Sequence, residues 1–272
     1  MIRADDAAGL LERLRGVRSG GSGFTTSFFA SRGQAEAWVR RGVLFFHPGA
    51  ECVLVFRCDR DFLHLYHAAA NASALRAALG AVDALAGGSR VTADLVDREG
   101  AVGALADLYA ECGFARYAVL VRMTRLAGSA LPDAAEAAGV EWAEAADAPA
   151  VLSFLERLLD RYAEQIPDLV EIAAAIAHRN VLLVRYGGEL GGVLHFELQG
   201  KTAILRYWWL DDRFRAQGIG ARLIRRMFTL CASARRIVLW VFAGNENAIV
   251  RYEHYGFRRD GLVDQVMMRT AP

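Results

Sequence analysis

The most constraining feature of this sequence is a pair of glycines between a strand pattern and an amphipathic helix pattern. Residues Thr202 to Leu210 are rich in Ile, Leu, Tyr and Trp, which suit a half-buried strand. Two aspartates end that run, and the order R-x-x-G-x-G follows at Arg215, Gly218 and Gly220. Apolar residues then recur at helical spacing as far as Cys231. The stretch predicts a strand, a tight loop and a helix.

The chemistry that this loop indicates is anion binding. Glycines let the backbone approach a ligand closely and adopt dihedral angles that a side chain disfavours. The first turn of the following helix has unpaired N–H groups and a partial positive charge, which together suit a pyrophosphate. The spacing lacks the third glycine of the dinucleotide fingerprint and the Gly-Lys-Ser/Thr ending of the NTPase loop. The loop alone is also compatible with an ordinary turn before a helix.

A second motif follows the apolar run Val238 to Phe242, which is typical of a buried strand. It has the order N-x-x-A-x-x-x-Y-x-x-x-G-F and consists of Asn245, Ala248, Tyr252, Gly256 and Phe257. The two motifs, about thirty residues apart, resemble those of the GNAT superfamily of N-acetyltransferases. Members of that family carry Q/R-x-x-G-x-G/A after their fourth strand and the second motif after the next one. The resemblance covers Val140 to Thr270, about half of the chain.

The resemblance implies a fold and a donor. The fold class is α/β (α+β), with two GNAT-like mixed-sheet domains, each a central, mostly antiparallel sheet flanked by helices. The donor is acetyl-CoA, with backbone N–H groups near Leu210 orienting its pantetheine arm and polarising its carbonyl. The residues that the resemblance places at the cofactor are Leu210, Arg215, Ala216, Gln217, Gly218, Ile219, Gly220, Ala221, Asn245 and Ala248.

The first half of the chain also has an α/β order, and it ends in an echo of the second motif. The segment LYAECGF at Leu108 to Phe114 repeats the Tyr and Gly-Phe of RYEHYGF at Arg251 to Phe257, which indicates an internal duplication. Where the glycine loop would stand, the first half has HAAANAS instead. We therefore predict a degenerate GNAT-like domain at 1–126, a linker at 127–139 and a catalytic domain at 140–272. An unrelated α/β domain with a chance match is the alternative.

Acetyl transfer to an amine needs a proton acceptor and a proton donor. An alkyl amine is mostly protonated at neutral pH, so a base has to remove its proton, and the departing thiolate needs a proton in return. The resemblance gives Tyr252 the role of proton donor. Many relatives carry a glutamate on the fourth strand as the base, which this strand lacks. His195 and Glu197 share one face of the preceding strand and are the candidate bases; each is equally compatible with a plain strand position.

Two predicted helices, Ala148 to Tyr162 and Pro167 to about His178, would cover the acceptor site in this family. Their joining loop would then place Tyr162, Glu164 and Gln165 near the substrate. A polar loop between helices is also compatible with simple solvation. Two tryptophans on the central strand would favour an apolar or aromatic amine if they line the cleft.

Composition limits the partners. A net charge of +1 with 23% charged residues argues against a general nucleic-acid binder. The four cysteines and six histidines show no metal-ligand spacing, so no metal is expected. No apolar run approaches the ~20 residues of a membrane span, and the charged start does not read as a signal peptide. We therefore expect a cytoplasmic protein, with a homodimer possible.

The function predicted from the sequence is an acetyl-CoA-dependent N-acetyltransferase. It would move an acetyl group to a primary amine of a small molecule or peptide, by direct transfer in a ternary complex. Two alternatives stay open. One is a non-catalytic acyl-CoA sensor, and the other is an acyltransferase that uses a longer acyl-CoA or an acceptor other than an amine.

Overall fold

The computed structural model describes residues 1–19, 23–128, 139–214 and 217–270. They form two compact units. Unit 1 comprises Met1–Leu120 and Leu262–Pro272, and unit 2 comprises Val121–Gly261. Most of the linker predicted at 127–139 lies outside the described residues. The division of the chain into domains at that segment stays a prediction.

Helices and strands contribute in similar measure to the described residues. The strands are β1 (Ile2–Arg3), β2 (Thr25–Thr26), β3 (Leu44–His47), β4 (Cys52–Asp59), β5 (Phe62–Ala69), β6 (Arg90–Arg98), β7 (Ala115–Leu126), β8 (Val140–Trp142), β9 (Val181–Tyr186), β10 (Glu189–Gln199), β11 (Thr202–Leu210), β12 (Arg236–Phe242) and β13 (Arg258–Arg269). The α-helices are α1 (Ala7–Ser19), α2 (Arg32–Arg41), α3 (Ala72–Leu79), α4 (Val82–Ala86), α5 (Glu99–Glu111), α6 (Ala148–Leu158), α7 (Leu169–Ala177), α8 (Ile219–Leu230) and α9 (Glu246–His254). Short 3-10 helices lie at Ala145–Asp147 and Asp212–Phe214.

Unit 1 contains a mixed sheet in the order β1-β3-β4-β5-β6-β13, and β2 pairs with β5. The neighbours β3, β4 and β5 are antiparallel, whereas β5 and β6 are parallel. Strand β13 pairs antiparallel with β6 from Leu262 to Arg269. One face packs on α1 and α2 through an aromatic cluster in which the rings of Trp38 and Tyr66 stack 6.1 Å apart. The sheet of this unit therefore contains a strand from the far end of the sequence.

Unit 2 contains the order β12-β11-β10-β9-β8. Strands β8 to β11 are antiparallel to their neighbours, and β11 and β12 are parallel. Helices α6 and α7 pack through Val151, Leu155 and Ile172 against side chains of the sheet that include Val193. Helix α8 approaches β10 so closely that a Cβ on Gly192 would lie 2.8 Å from Leu210 Cδ2 and 3.1 Å from Ile219 Cγ2. The sheet thus lies between two helical layers, as α/β patterning requires.

The predicted α/β fold class with helices flanking mixed sheets is confirmed. The strand predicted at Thr202 to Leu210 has these bounds in the structure. The helix predicted over Ala148 to Tyr162 was too long, because α6 ends at Leu158. The helix predicted to start at Pro167 begins at Leu169, because the Asp168 side chain accepts a hydrogen bond from Glu171 N at 2.9 Å and caps it. Residues 159–168 therefore form a ten-residue connection, called the roof loop below.

Candidate active site

The central feature of unit 2 is a pair of parallel strands that stay together for only three residues. Strand β11 pairs with β12 from Thr202 to Ile204. Among the described residues, no strand pairs with this edge of β11 from Leu205 to Leu210. The opening between these residues and β12 is called the slot below. A strand edge with free backbone groups suits an extended ligand that carries amides of its own.

A β-bulge lies beside the slot. Strand β10 faces β11 with His195 opposite Tyr207 and Phe196 opposite Leu205, so Arg206 is the extra residue. A bulge changes the direction of the side chains and backbone groups around it. Here Tyr207 joins the core under α6 and α7, whereas Trp208 lies against Gly220 at the start of α8. The bulge thus presents one aromatic side chain to each layer.

Asp211 holds the loop that leaves the slot. Its Oδ1 accepts hydrogen bonds from Arg213 N and Arg213 Nε, both at 3.0 Å, and its Oδ2 accepts from Arg213 Nη2 at 3.0 Å. Arg157 Nη2 reaches the same Oδ2 at 3.3 Å, and Arg213 Nη1 donates to Glu189 at 2.7 Å. The hydrogen bonds from Arg213 are the main reason that the pKa of Asp211 falls to about 2. The positive charge of Arg213 is therefore compensated by Asp211 and Glu189.

We expect Asp211→Asn to weaken CoA binding about tenfold, because the variant loses a charged acceptor that positions the loop. The carboxylate has a pKa below that of an unfolded aspartate, ~3.9, so its stabilisation is present above that pH and is lost as the pH falls towards 2. Calorimetry at pH 7 measures the affinity, and thermal unfolding from pH 7 to pH 2 measures the stability. Glu253→Gln on exposed α9 is the charge control. If the wild type and Asp211→Asn still differ in unfolding temperature at pH 2, the stabilisation does not come from the charge of Asp211.

The N-terminus of α8 is open to an anion. Gly218 precedes the helix with a φ of 71°, no side chain of the described residues caps it, and its first turn holds no acidic residue. A Cβ on Gly220 would lie 3.1 Å from Leu210 Cδ1 and 3.2 Å from Trp208 Cζ2, so a larger residue there would press on the contact between α8 and β11. The first turn therefore offers backbone N–H groups and a partial positive charge at the end of the slot.

The other residues predicted at this loop differ in exposure. Gln217 and Gly218 are exposed, Ala221 is half-buried and the side chain of Ile219 is buried. Any contact of Ile219 with a ligand would therefore come from its backbone. Arg215 and Ala216 lie outside the described residues.

The motif that ends in Gly256-Phe257 is a helix stop. Phe257 N donates to Tyr252 O at 3.1 Å and Gly256 N donates to Glu253 O at 2.9 Å, which is the Schellman pattern. Gly256 has a φ of 83°, and the ring of Phe257 packs edge-on against Tyr252 with centroids 5.7 Å apart. At the other end of α9, Asn245 Oδ1 accepts a hydrogen bond from Ala248 N at 3.1 Å. This spacing of Asn, Ala, Tyr, Gly and Phe therefore has a structural reason that is independent of any ligand.

The hydroxyl of Tyr252 has no such structural reason. Its ring lies 5.7 Å from that of Trp208, and the hydroxyl has no hydrogen-bond partner among the described residues. Burial, together with the charge of Glu164, raises the pKa of Tyr252 above its ordinary value, while Arg251 opposes this. The phenol is therefore protonated at neutral pH and available as a donor.

The two candidate bases of β10 have unfavourable surroundings. His195 is 5% exposed, and burial followed by the charge of Arg206 lowers its pKa to about 3. Glu197 lies 3.6 Å from Arg206 Nε and accepts a hydrogen bond from Gln199 at 3.0 Å. A buried imidazole with so low a pKa is a weak proton acceptor, and the carboxylate of Glu197 is already engaged by Arg206 and Gln199. Their assignment as bases stays a prediction that the geometry does not favour.

The roof loop carries a carboxyl that the sequence did not single out as a base. Tyr207 donates its hydroxyl hydrogen bond to the carbonyls of Gln165 at 2.8 Å and Glu164 at 3.2 Å. Burial raises the pKa of Glu164 to about 7 against the opposing hydrogen bond from Asp160 N. In the sequence this residue stands in an ordinary polar loop, and only the fold reveals its burial.

Unit 1 repeats this arrangement with the opening filled. Strands β5 and β6 also pair in parallel for three residues, from Phe62 to His64. After these three residues β6 no longer pairs with β5. Strand β2 pairs with β5 further along, with Thr25 opposite Ala69 and Thr26 opposite Ala68. Since β4 occupies the other edge along its whole length, β2 lies where unit 2 has the slot.

Tyr109, the tyrosine of unit 1 that corresponds to Tyr252, has a hydrogen-bonded hydroxyl. Tyr109 ends its helix with the same Schellman bonds, since Phe114 N donates to Tyr109 O at 3.1 Å. Its hydroxyl, however, lies 2.9 Å from His67 Nδ1, and Ser27 Oγ lies 3.1 Å from the same nitrogen. Burial lowers the pKa of His67 to about 3, so the ring is neutral inside this network. The equivalent group of unit 1 is therefore buried and bonded.

A cavity of about 820 Å³ lies elsewhere in unit 2, lined in part by Trp142 and Ile176. Two of its acidic residues, Glu141 and Asp147, bind Arg185 at 2.6 Å and 2.5 Å, so these charges compensate one another. None of the motif residues lines it. We therefore assign the site to the slot.

The slot, the open helix N-terminus and the tyrosine hydroxyl define a class of protein. A strand edge takes a pantetheine-like chain, a helix N-terminus takes a pyrophosphate, and a phenol supplies a proton. These are the parts of a transferase that uses an acyl group carried on CoA.

Comparison with known proteins gives the family of one part of the chain. Residues 140–257 match the model of the Acetyltransferase (GNAT) family. This part of the chain is therefore a GNAT acyltransferase domain, which confirms the resemblance of the two motifs. No match was found among curated proteins.

Solved structures are similar over the whole chain. A GCN5-related N-acetyltransferase from Sphaerobacter thermophilus is 16% identical, with a TM-score of 0.61 over 100% of this chain and 96% of that one. A tandem GNAT protein from the clavulanic acid biosynthesis pathway is 12% identical, with a TM-score of 0.63 over 98% of this chain and 95% of that one. A GCN5-related N-acetyltransferase from Kribbella flavida is 16% identical, with a TM-score of 0.59 over 88% and 93%. At such identities the likeness shows the fold alone.

Proposed function

We propose that unit 2 is an acetyl-CoA-dependent N-acetyltransferase that acts on a primary amine. The observation that carries this proposal is the open edge of β11, whose Trp208 packs against Gly220 at the start of α8 and lies 5.7 Å, ring to ring, from Tyr252. Trp208 Nε1 is buried beside it without a hydrogen-bond partner among the described residues. A buried donor of this kind fits a ligand that carries carbonyl groups.

The backbone around the glycines would hold the pyrophosphate. Gly218, Ile219, Gly220 and Ala221 supply N–H groups of the first helical turn, and Gln217 precedes them. The roles of Arg215 and Ala216 rest on the motif. The edge of β11 up to Leu210 would hydrogen-bond the amides of the pantetheine arm, and Asn245 and Ala248 would line its other side from the start of α9.

The chemistry divides between the donor and the protein. The bound thioester supplies an activated acyl group, so that a C–N bond forms as the C–S bond breaks. Backbone N–H groups near Leu210 would polarise the carbonyl, and Tyr252 would give its proton to the departing sulfur. Both substrates have to be bound together, because the acyl group passes directly to the amine.

We further propose that unit 1 binds no acyl-CoA. Strand β2 takes the edge that the pantetheine arm would need, and Tyr109 gives its hydroxyl to the network of His67. Unit 1 would then have a structural role. A cytoplasmic location, the absence of a nucleic-acid partner and a possible homodimer remain predictions from the sequence. The described residues include no helix that is both long and apolar enough to cross a membrane.

One observation favours a second function. Burial lowers the pKa of His195 to about 3, and Glu197 is paired with Arg206, which is compatible with a sensor that binds acyl-CoA without turnover. An acyltransferase that prefers a longer acyl-CoA is a third possibility. The intact slot and Tyr252 favour turnover over sensing.

Thioester release tests the three functions. We expect the protein to release CoA from acetyl-CoA only when an amine such as 2-phenylethylamine is added, because direct transfer needs both substrates. The panel should compare acetyl-, butyryl- and octanoyl-CoA, each with aliphatic, aromatic and peptide amines. Tight CoA binding without release from any pair would support the sensor. Release from octanoyl-CoA alone would replace the acetyl donor.

A further inference from the structure

The roof loop of unit 2 carries a carboxyl group that no motif assigns. We propose that Glu164 of the roof loop is the general base that deprotonates the acceptor amine. The inference rests on the proposed function, because it names the missing base of the same reaction. It is carried by how the loop is held, by what surrounds the carboxyl group and by the burial of His195 on β10.

The roof loop is held in place from the sheet. The hydroxyl of Tyr207 bonds the carbonyls of Glu164 and Gln165, which ties the loop to β11 beside the bulge. Gln165 has a φ of 45°, a left-handed conformation that non-glycine residues adopt at some cost. Asp160 accepts hydrogen bonds from Tyr162 N at 2.9 Å and Ala163 N at 3.1 Å. A loop anchored in this way holds its side chains in defined positions.

One oxygen of the Glu164 carboxyl is fixed and the other is available. Oε2 accepts a hydrogen bond from Asp160 N at 2.7 Å. Oε1 accepts none from the described residues, and the residue is half-buried. The carboxyl therefore has a set orientation and one oxygen that accepts no hydrogen bond from the described residues.

The titratable groups that interact electrostatically with Glu164 lie on three elements: Asp160 in its own loop, Tyr207 on β11 and Tyr252 on α9. After burial, the charge of Glu164 contributes to the raised pKa of both tyrosines. Glu171 at the start of α7 acts on Tyr207 in the same way. Burial is the largest reason that the pKa of Glu164 itself lies near neutrality, with Asp160 adding a smaller rise.

With Glu164 as the base, every proton and bond of the reaction is accounted for. The Glu164 carboxylate takes one proton from the ammonium group and leaves a neutral amine. The nitrogen lone pair then forms the C–N bond while the C–S bond breaks and its electrons go to sulfur. Tyr252 protonates the thiolate, and the second proton lost from nitrogen restores the phenol. Glu164 finally releases its proton to water, so that one ammonium and one thioester give an amide, a thiol and a proton.

The variant Glu164→Gln tests the role, because a glutamine oxygen still accepts the hydrogen bond from Asp160 N. With 2-phenylethylamine at pH 7, we expect kcat to fall about 100-fold or more, and the rise of the wild-type rate through pH 7 to disappear. With aniline, which is already neutral at pH 7, we expect a loss of less than about fivefold, because little deprotonation is needed. The affinity for CoA should not change.

Glu171→Gln is the matched control, since it removes the same charge from the neighbouring helix and keeps the capping oxygen. We expect it to retain the wild-type pH profile. A Glu164→Gln variant with the wild-type profile, or one whose loss is equal for both amines, would overturn the role of base. Carbon-13 NMR of labelled glutamate in the wild type gives an independent test, because a Glu164 carboxyl that titrates near the ordinary ~4.3 would overturn it as well.

These outcomes separate the inference from the proposed function. Wild-type protein that binds CoA but transfers no acyl group to any amine would overturn the proposed function, and the role of Glu164 with it. Wild-type transfer with an unaffected Glu164→Gln variant would overturn the role alone.

Discussion

Replacing Gly220 with aspartate is expected to lower the affinity for CoA by ~100-fold or more. The new Cβ would press on Leu210 and Trp208 at 3.1 Å and 3.2 Å, which moves the first turn of α8 away from β11. The carboxylate would also place a negative charge where the pyrophosphate is expected. Loss of two charge-assisted hydrogen bonds, at ~1.5–3 kcal/mol each, accounts for an effect of this size.

Calorimetry with CoA on folded protein measures this change, and two variants separate its causes. Gly220→Ala adds only the methyl group and should cause a smaller loss. Ser233→Asp adds the same charge at an exposed position after α8 and should bind CoA normally. Unchanged affinity of a folded Gly220→Asp protein would mean that the pyrophosphate binds elsewhere.

The second large effect is expected from Tyr252→Phe. This change keeps the ring that packs on Trp208 and Phe257 and removes only the hydroxyl. Because the hydroxyl has no partner among the described residues, its removal should leave the fold intact. We expect kcat to fall ~10–1000-fold while the CoA dissociation constant barely changes, as for a proton donor that acts in the transition state.

Tyr255→Phe is the control for this variant. Tyr255 lies on the same turn of chain, and its ring also contacts Trp208, with centroids 5.6 Å apart. We expect its loss of a hydroxyl to leave kcat within about twofold of wild type, measured by single-turnover thioester release. If Tyr252→Phe also keeps its kcat where chemistry limits the rate, Tyr252 is a packing residue and the proton comes from another source.

The central elements of unit 2 could be predicted from local sequence patterns. The strand from Thr202 to Leu210 could be predicted because its composition and the aspartates after it leave few other conformations. The glycines could be predicted as a helix start because their spacing precedes an apolar stripe. The Tyr…Gly-Phe pattern could be recognised twice, since in both units it builds the same Schellman stop with an aromatic contact.

What could not be predicted depends on contacts between distant residues. Glu164 looks like any loop carboxyl until Tyr207, far along the chain, holds its backbone. The bulge at Arg206 is a matter of register with β10, which a single strand does not encode. The loss of a site in unit 1 was predicted from the missing glycines, yet the pairing of Thr25 and Thr26 with β5 gave no local signal.

Unit 1 is built from two segments that are distant in the sequence, and this affects how the protein is synthesised and folded. The partner of β6 is the segment from Leu262 to Arg269, which follows the whole of unit 2 in the sequence. On the ribosome, the earlier strands of unit 1 therefore emerge long before β13 can join them, and one edge of β6 waits unpaired. Closing a contact over so long a stretch of chain is slow. Unit 1 therefore cannot be completed before the chain of unit 2 has been synthesised, and a chain interrupted before β13 leaves an open sheet for chaperones or proteases to bind.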